Sequence, residues 1–125
     1  MNLKFTILII IGVIGCMQEE PKFVIKKISD NDITIKWYYY SYITNNSPEF
    51  VVLEKQNVKK QLFKGVAMIT DVSVNEQNII IKYINPSKEE DYEKTSETKI
   101  FGFNIIMDST GTYDEYKLVP NGIKE

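Results

Sequence analysis

The sequence predicts an all-β fold: a small, single-domain antiparallel sandwich or barrel of seven to eight strands at residues 22–125. Apolar and polar residues alternate in short segments, which is the pattern of strands with one buried face. Asn, Asp, Gly and Pro interrupt these segments at about ten-residue intervals, a spacing typical of small sandwiches and barrels. A length of 125 residues fits one such domain.

The first two predicted strands are joined by a turn at Asp30 and Asn31. Residues 23–29 make the first strand, and residues 32–44 make the second, which has the cleanest alternation in the chain. One face of the second strand is therefore expected to be buried, and it holds Ile33, Ile35, Trp37, Tyr39 and Ile43. The opposite face holds Thr34, Lys36, Tyr38, Tyr40 and Tyr42.

The next strands follow a turn at 45–48. Residues 50–55 and 60–64 predict a hairpin around Gln56 and Asn57. Strands are then expected at 66–74 and 78–84, and the second of these carries isoleucine on both faces, which predicts a central position in a sheet.

The last part of the chain predicts one more hairpin, formed by 99–107 and 112–119 across a turn at 108–111. Before it lies a polar, acidic segment, 85–97. Ser87 and Glu90 fit a capping box there, so this segment is expected to form a short surface helix or a loop.

The composition excludes several classes of function. The chain has 15 Lys, no Arg, no His and 17 acidic residues, with a net charge of −2. This balance argues against binding to nucleic acid, and the absence of His removes most acid–base and zinc chemistry. The acidic run at 89–93 lacks the Asp/Asn alternation and the Gly of a calcium loop. We therefore expect no metal, no cofactor and no catalytic residues.

The N-terminal segment has the organisation of a secretory signal. Lys4 is followed by an apolar run and then by Gly15 and Cys16. The run from Phe5 to Met17 covers 13 residues, whereas a membrane-spanning helix needs roughly 20. Residues 1–15 are thus expected to be a signal peptide and 16–21 a tether.

The tetrapeptide Val13-Ile14-Gly15-Cys16 resembles the lipobox of bacterial lipoproteins. The resemblance implies cleavage before Cys16 and attachment of a diacylglycerol to its sulfur, so that the protein is anchored in a membrane of the cell envelope. Cys16 is the single cysteine of the chain. The alternative is an uncleaved anchor with an incidental cysteine.

The choice of membrane stays open. Gln18, Glu19 and Glu20 resemble the acidic tract that directs some Bacteroidota lipoproteins to the outer surface of the outer membrane. A polar tether on the periplasmic side accounts for the same residues.

The run of aromatic residues at 37–42 contains the candidate binding surface. Tyr38, Tyr40 and Tyr42 would form a ladder on the face opposite the core, and tyrosine suits recognition of proteins or carbohydrates. The alternative is structural, because aromatic residues favour strands and loops often cover a second face.

The sequence thus favours a lipid-anchored envelope protein with a non-catalytic binding role toward a protein or glycan partner. A second hypothesis is an immunity or inhibitor lipoprotein that neutralises a toxin or hydrolase. A third is an accessory subunit or minor enzyme of an envelope complex.

Overall fold

The computed structural model describes residues 21–40, 47–86 and 92–125. Two sheets pack against each other as a sandwich in this part of the chain, so the predicted all-β class is confirmed. The strands are β1 (Lys22–Asp30), β2 (Ile33–Tyr40), β3 (Glu49–Lys55), β4 (Val58–Gly65), β5 (Ile69–Asn75), β6 (Asn78–Tyr83), β7 (Tyr92–Lys94), β8 (Lys99–Ile100), β9 (Phe103–Asp108) and β10 (Ile123–Lys124). One short helix, α1 (Tyr113–Lys117), precedes β10.

The first sheet has the strand order β10-β1-β2-β3-β4-β7, and all of its pairings are antiparallel. The second sheet has the order β5-β6-β9-β8, in which β6 and β9 run parallel. Apolar side chains from both inner faces form one core. Its fully buried members include Ile33, Ile35, Val51, Leu53, Leu62, Phe63, Ile69, Val72, Ile79 and Ile81.

Most of the predicted strands are confirmed. The strands β1 and β2 pair across a turn at Asn31 and Asp32, one residue later than predicted, and β3 and β4 pair around Gln56 and Asn57 as predicted. Strand β6 lies between β5 and β9, as the isoleucines on both of its faces indicated. The predicted core face of β2 is buried from Ile33 to Tyr39. Ile43 lies outside the described residues.

The predicted last hairpin is wrong. Residues 99–108 form their own tight hairpin, in which Phe101 and Gly102 both have positive φ, at 53° and 83°. Strand β9 then pairs with β6, and residues 113–117 form helix α1. Thr112 and Glu115 make a reciprocal capping box at the start of that helix, a local signal that outweighs the weak alternation of 112–119.

The described residues contain ten strands, more than the seven to eight predicted. The additional strands are short segments at sheet edges. One of them, β7, falls in the acidic segment that was expected to be a helix or loop, and it pairs with β4. The predicted capping box at Ser87 and Glu90 lies outside the described residues.

Across 21–40, 47–86 and 92–125, no helix has the length and hydropathy required to cross a membrane. Residues 1–20, which include the predicted signal peptide and Cys16, lie outside the described residues. Their processing therefore stays a prediction.

Candidate functional site

Three aromatic rings cluster on the outer face of the first sheet. Tyr38 stacks on Phe50 with ring centroids 5.4 Å apart, and Tyr40 meets both rings edge-on at 5.7 Å. Tyr38 and Phe50 are direct partners across β2 and β3, which explains their stacking. We call Tyr38, Tyr40 and Phe50 the aromatic face.

Lysines border the aromatic face. The Lys22 ammonium lies 4.9 Å from the centroid of the Tyr38 ring, and the Lys64 ammonium lies 5.6 Å from that of Phe50. Strand register places them there, because Lys22 pairs with Tyr40 and Lys64 pairs with Phe50. Such cation–π contacts keep positive charge beside an apolar surface.

Two further lysines continue the positive charge along the same face. Lys27 and Lys36 are direct partners across β1 and β2. Glu125 approaches this pair, and its carboxylate lies 3.1 Å from the Lys36 ammonium. This hydrogen bond lowers the pKa of Glu125 below its ordinary value of 4.5.

The structure places Tyr38 and Tyr40 on the face opposite the core, as the alternation predicted. Tyr38 is only 8% exposed, so its ring is mostly packed against its neighbours. Tyr40 and Phe50 are half-buried and present part of their rings to solvent. Tyr42 lies outside the described residues. Whether these residues bind a partner stays a prediction.

Sequence reasoning missed Phe50, Lys22 and Lys64. Phe50 and Lys64 lie on predicted strands, and Lys22 directly precedes one. Their proximity to the tyrosines depends on the register in which the strands pair. A bulge between Val51 and Val52 shifts the pairing of β3 with β4. The partner of Phe50 on β4 therefore cannot be found by counting residues back from the turn of the hairpin.

The outer face of the second sheet is chemically different. It carries mostly small and polar side chains, and Asn104 donates a 3.0 Å hydrogen bond to Asn78 across β9 and β6. Its large apolar residues include the strand partners Ile80 and Ile106, of which Ile106 is 40% exposed, and none of the ring–ring contacts among the described residues lies on this face. The aromatic face is therefore a specific feature of the first sheet.

A second site surrounds a buried carboxyl group on the core side of the first sheet. Glu49 is 3% exposed, and its Oε1 accepts a 2.8 Å hydrogen bond from Nε1 of Trp37. Burial raises the pKa of Glu49 above its ordinary value of 4.5, and the hydrogen bond from Trp37 opposes this only in part. The position of Glu49, directly after Pro48 at the start of a strand, gave no sign of burial in the sequence.

Glu49 lines a cavity of about 210 Å³, which we call the Glu49 cavity. Its walls are Ile25, Tyr39, Glu49, Tyr116, Lys117, Val119, Pro120 and Asn121. A neighbouring cavity of about 430 Å³ shares Ile25, Val119 and Pro120 with it. The rest of that larger cavity is lined by Lys26, Trp37, Thr70, Asp71, Glu115 and Leu118.

The segment from α1 to β10 forms the outer wall of both cavities. Its end, β10, pairs with β1, and two further hydrogen bonds attach it. Lys82 donates a 2.7 Å hydrogen bond to Glu115, which raises the pKa of Lys82 and lowers that of Glu115. The backbone N–H of Gly122 donates a 3.0 Å hydrogen bond to the Tyr39 hydroxyl. The wall is thus held to both sheets.

Among the described residues, no group of three or more Cys, Asp or Glu side chains is arranged to hold a metal ion. Comparison of the chain with models of protein families, with curated proteins and with solved structures finds no match.

Proposed function

We propose that the protein is a lipid-anchored protein of the cell envelope with a non-catalytic role, binding an acidic protein surface through the aromatic face. The observation that carries this proposal is the cluster of Tyr38, Tyr40 and Phe50 with Lys22 and Lys64 beside it. Aromatic residues are enriched in protein interfaces, and positive charge at the rim favours an acidic partner.

The lysines favour a protein over a glycan. Carbohydrate recognition by aromatic residues uses an open ring face, whereas lysine ammonium groups lie over the rings of Tyr38 and Phe50. Carboxylates of a protein partner would pair with these ammonium groups without displacing them. The half-buried rings of Tyr40 and Phe50 would then contact apolar side chains of the partner.

The anchor is proposed from the lipobox-like tetrapeptide that ends at Cys16. One acyl chain holds a protein only weakly on a membrane, and stable anchoring needs two, which a diacylglycerol on Cys16 would supply. Strand β1 begins at Lys22, six residues after Cys16. At no more than about 3.6 Å per residue, this tether would keep the start of the sheet within roughly 20 Å of the lipid.

Mass spectrometry of the membrane fraction tests the anchor. Wild-type protein should begin at Cys16 and carry acyl chains, and the Cys16→Ala variant should carry none. An unmodified wild-type chain that retains residues 1–15 would refute lipidation and the proposed location.

Site-specific photo-crosslinking in cells tests the aromatic face. The full-length chain would carry a photoreactive phenylalanine analogue at position 40 or, as the matched control on the other sheet, at position 106. We expect a protein adduct from position 40 alone, and we expect Lys64→Glu to abolish it while Lys99→Glu, at an exposed lysine of the second sheet, leaves it intact.

Other outcomes of this experiment would refute the proposal. An adduct of equal yield from both positions would show that the aromatic face has no special role. An adduct with polysaccharide or lipid at position 40 would replace the protein partner with a glycan or the membrane surface.

A further inference from the structure

We propose that the Glu49 cavity is a second, independent binding site that takes a small ligand with a primary ammonium group on an apolar body. The ammonium group would pair with the Glu49 carboxylate, and the apolar body would lie against Ile25, Val119 and Pro120. This site faces the core side of the first sheet and shares no residue with the aromatic face.

The Glu49 carboxyl group lacks a positively charged partner among the described residues. A buried carboxylate is costly unless a cation pairs with it. Among the described residues, Glu49 takes part in no ion pair, and its hydrogen-bond partner is the neutral indole of Trp37. A cationic ligand bound beside Glu49 would supply the positive charge that its carboxylate lacks.

The lysine in the cavity wall does not supply that charge. The Lys117 ammonium lies over the ring of Tyr113, 4.9 Å from its centroid, and Tyr113 is 64% exposed. The charged end of Lys117 is therefore directed to the surface, and its stem contributes to the wall. The other titratable groups that line the cavity are the phenols of Tyr39 and Tyr116.

The walls of the two cavities are continuous. The three apolar residues Ile25, Val119 and Pro120 line both cavities, so a ligand anchored at Glu49 can extend along them. The larger cavity, at about 430 Å³, lies within the range of small-molecule sites, roughly 300–1,000 Å³. Trp37 also lines the larger cavity. Its ring contributes an apolar surface next to the indole N–H that donates the hydrogen bond to Glu49.

A single carboxylate favours an ammonium ion over a metal ion. Divalent cations take several oxygen ligands, and the part of the chain that the structure describes offers no such group. An ammonium group has three N–H donors, which one carboxylate and a few further acceptors are enough to satisfy. Tyr39 and Tyr116, whose hydroxyls are potential acceptors, line the same cavity as Glu49.

The experiment uses Trp37 as the reporter, because it is the one tryptophan of the chain. Full-length protein in detergent, labelled with ¹⁵N at the tryptophan indole, is titrated with n-butylammonium. The neutral n-butanol, which has the same number of heavy atoms, serves as the matched ligand control. We expect a saturable shift of the indole N–H resonance with the amine and at least about tenfold weaker binding of the alcohol.

Variants assign the effect to Glu49. Glu49→Gln keeps the size and the acceptor for Trp37 but removes the charge, and it should weaken amine binding at least about tenfold. Glu54→Gln, on the outer face of the same strand, should bind as the wild type does.

The pH dependence of amine binding to the wild-type protein tests the role of Glu49 without any variant that could misfold. Amine binding should weaken as the pH falls and Glu49 becomes protonated. Equal binding of amine and alcohol, full binding by Glu49→Gln, or loss of binding in Glu54→Gln would each overturn the proposal, as would an indole resonance that no amine shifts. None of these outcomes bears on the aromatic face, which is tested by crosslinking.

Discussion

Nε1 of Trp37 on β2 donates a 2.8 Å hydrogen bond to the Glu49 carboxyl on β3, and the two residues are only 2% and 3% exposed. Trp37 is the direct strand partner of Val51, so Glu49 lies diagonally across from it on the same face of the sheet. This bond connects the core to the Glu49 cavity. It makes the single tryptophan both a packing residue and the partner of a buried acid.

Replacement of Glu49 by Gln should stabilise the protein near neutral pH. The folded state raises the pKa of Glu49 above 4.5, so the wild type binds this proton more tightly when folded. The contribution of Glu49 to stability is then fully present below 4.5 and is lost as the pH rises through the folded-state pKa. Glutamine does not titrate and avoids this loss.

Urea unfolding of both proteins over a pH series measures this effect. The stability difference in favour of Glu49→Gln should be small below 4.5 and should grow above it. Glu115 and Glu125 have lowered pKa values and act in the opposite direction, but they are common to both proteins and cancel in the difference. A difference that does not change with pH would contradict the proposed desolvation of Glu49.

Replacement of Trp37 by Ala should lower the free energy of unfolding by about 3–5 kcal/mol, the usual cost of truncating a buried aromatic residue. Trp37→Phe keeps most of the packing but removes the hydrogen bond to Glu49, and it should cost about 1–3 kcal/mol. Chemical denaturation checks both values. Equal costs for the two variants would mean that packing contributes little at this position.

Replacement of Tyr40 by Ala should cost about 1 kcal/mol, because the half-buried ring makes two edge-on aromatic contacts. Tyr38→Ala should cost about 3 kcal/mol, since Tyr38 is 8% exposed and packs against Phe50. Thermal unfolding compares them. If Tyr40→Ala proves as destabilising as Tyr38→Ala, the aromatic face is a packing feature and is no longer a candidate interface.

Replacement of Gly111 by Ala should destabilise the protein by about 1–3 kcal/mol through overpacking. A Cβ at this position would lie 2.7 Å from the carbonyl carbon and oxygen of Tyr83, and the backbone of a central strand has little room to move. The same substitution at Gly102 finds no neighbour within 4 Å, although its φ of 83° adds strain there. A Gly111→Ala protein with wild-type stability would show that β6 can shift to accommodate the methyl group.

Replacement of Thr112 by Ala should cost about 1 kcal/mol, because it removes the N-cap of α1. Helix α1 has only five residues and contributes to the walls of both cavities. Hydrogen exchange should therefore accelerate at Tyr116 and Leu118, whose backbone N–H groups donate to the carbonyls of Thr112 and Glu115. Unchanged exchange would mean that the other attachments of the segment, such as the ion pair between Lys82 and Glu115, hold the helix without its N-cap.

The fold class and most strands could be predicted from local patterns. Alternation along β2 separates Ile33, Ile35 and Trp37 from Tyr38 and Tyr40 without knowledge of any neighbour, because side chains of a strand point to opposite faces. The prediction of a strand at 112–119 was wrong. The same residues carry a weak alternation, which favours a strand, and the capping box of Thr112 and Glu115, which favours a helix. Short local signals compete there, and the sequence alone does not rank them.

The sequence by itself determined the β class, the side of β2 on which each aromatic residue lies, and the motif on which the proposed anchor at Cys16 rests. Only the tertiary structure decided that Phe50 stands beside Tyr38 and Lys64 beside Phe50, that β9 runs parallel to β6, and that Glu49 is buried under the segment from α1 to β10. Strand alternation is a property of one segment. Register, crossover and burial depend on residues far apart in the chain, and a single sequence carries no direct record of those contacts.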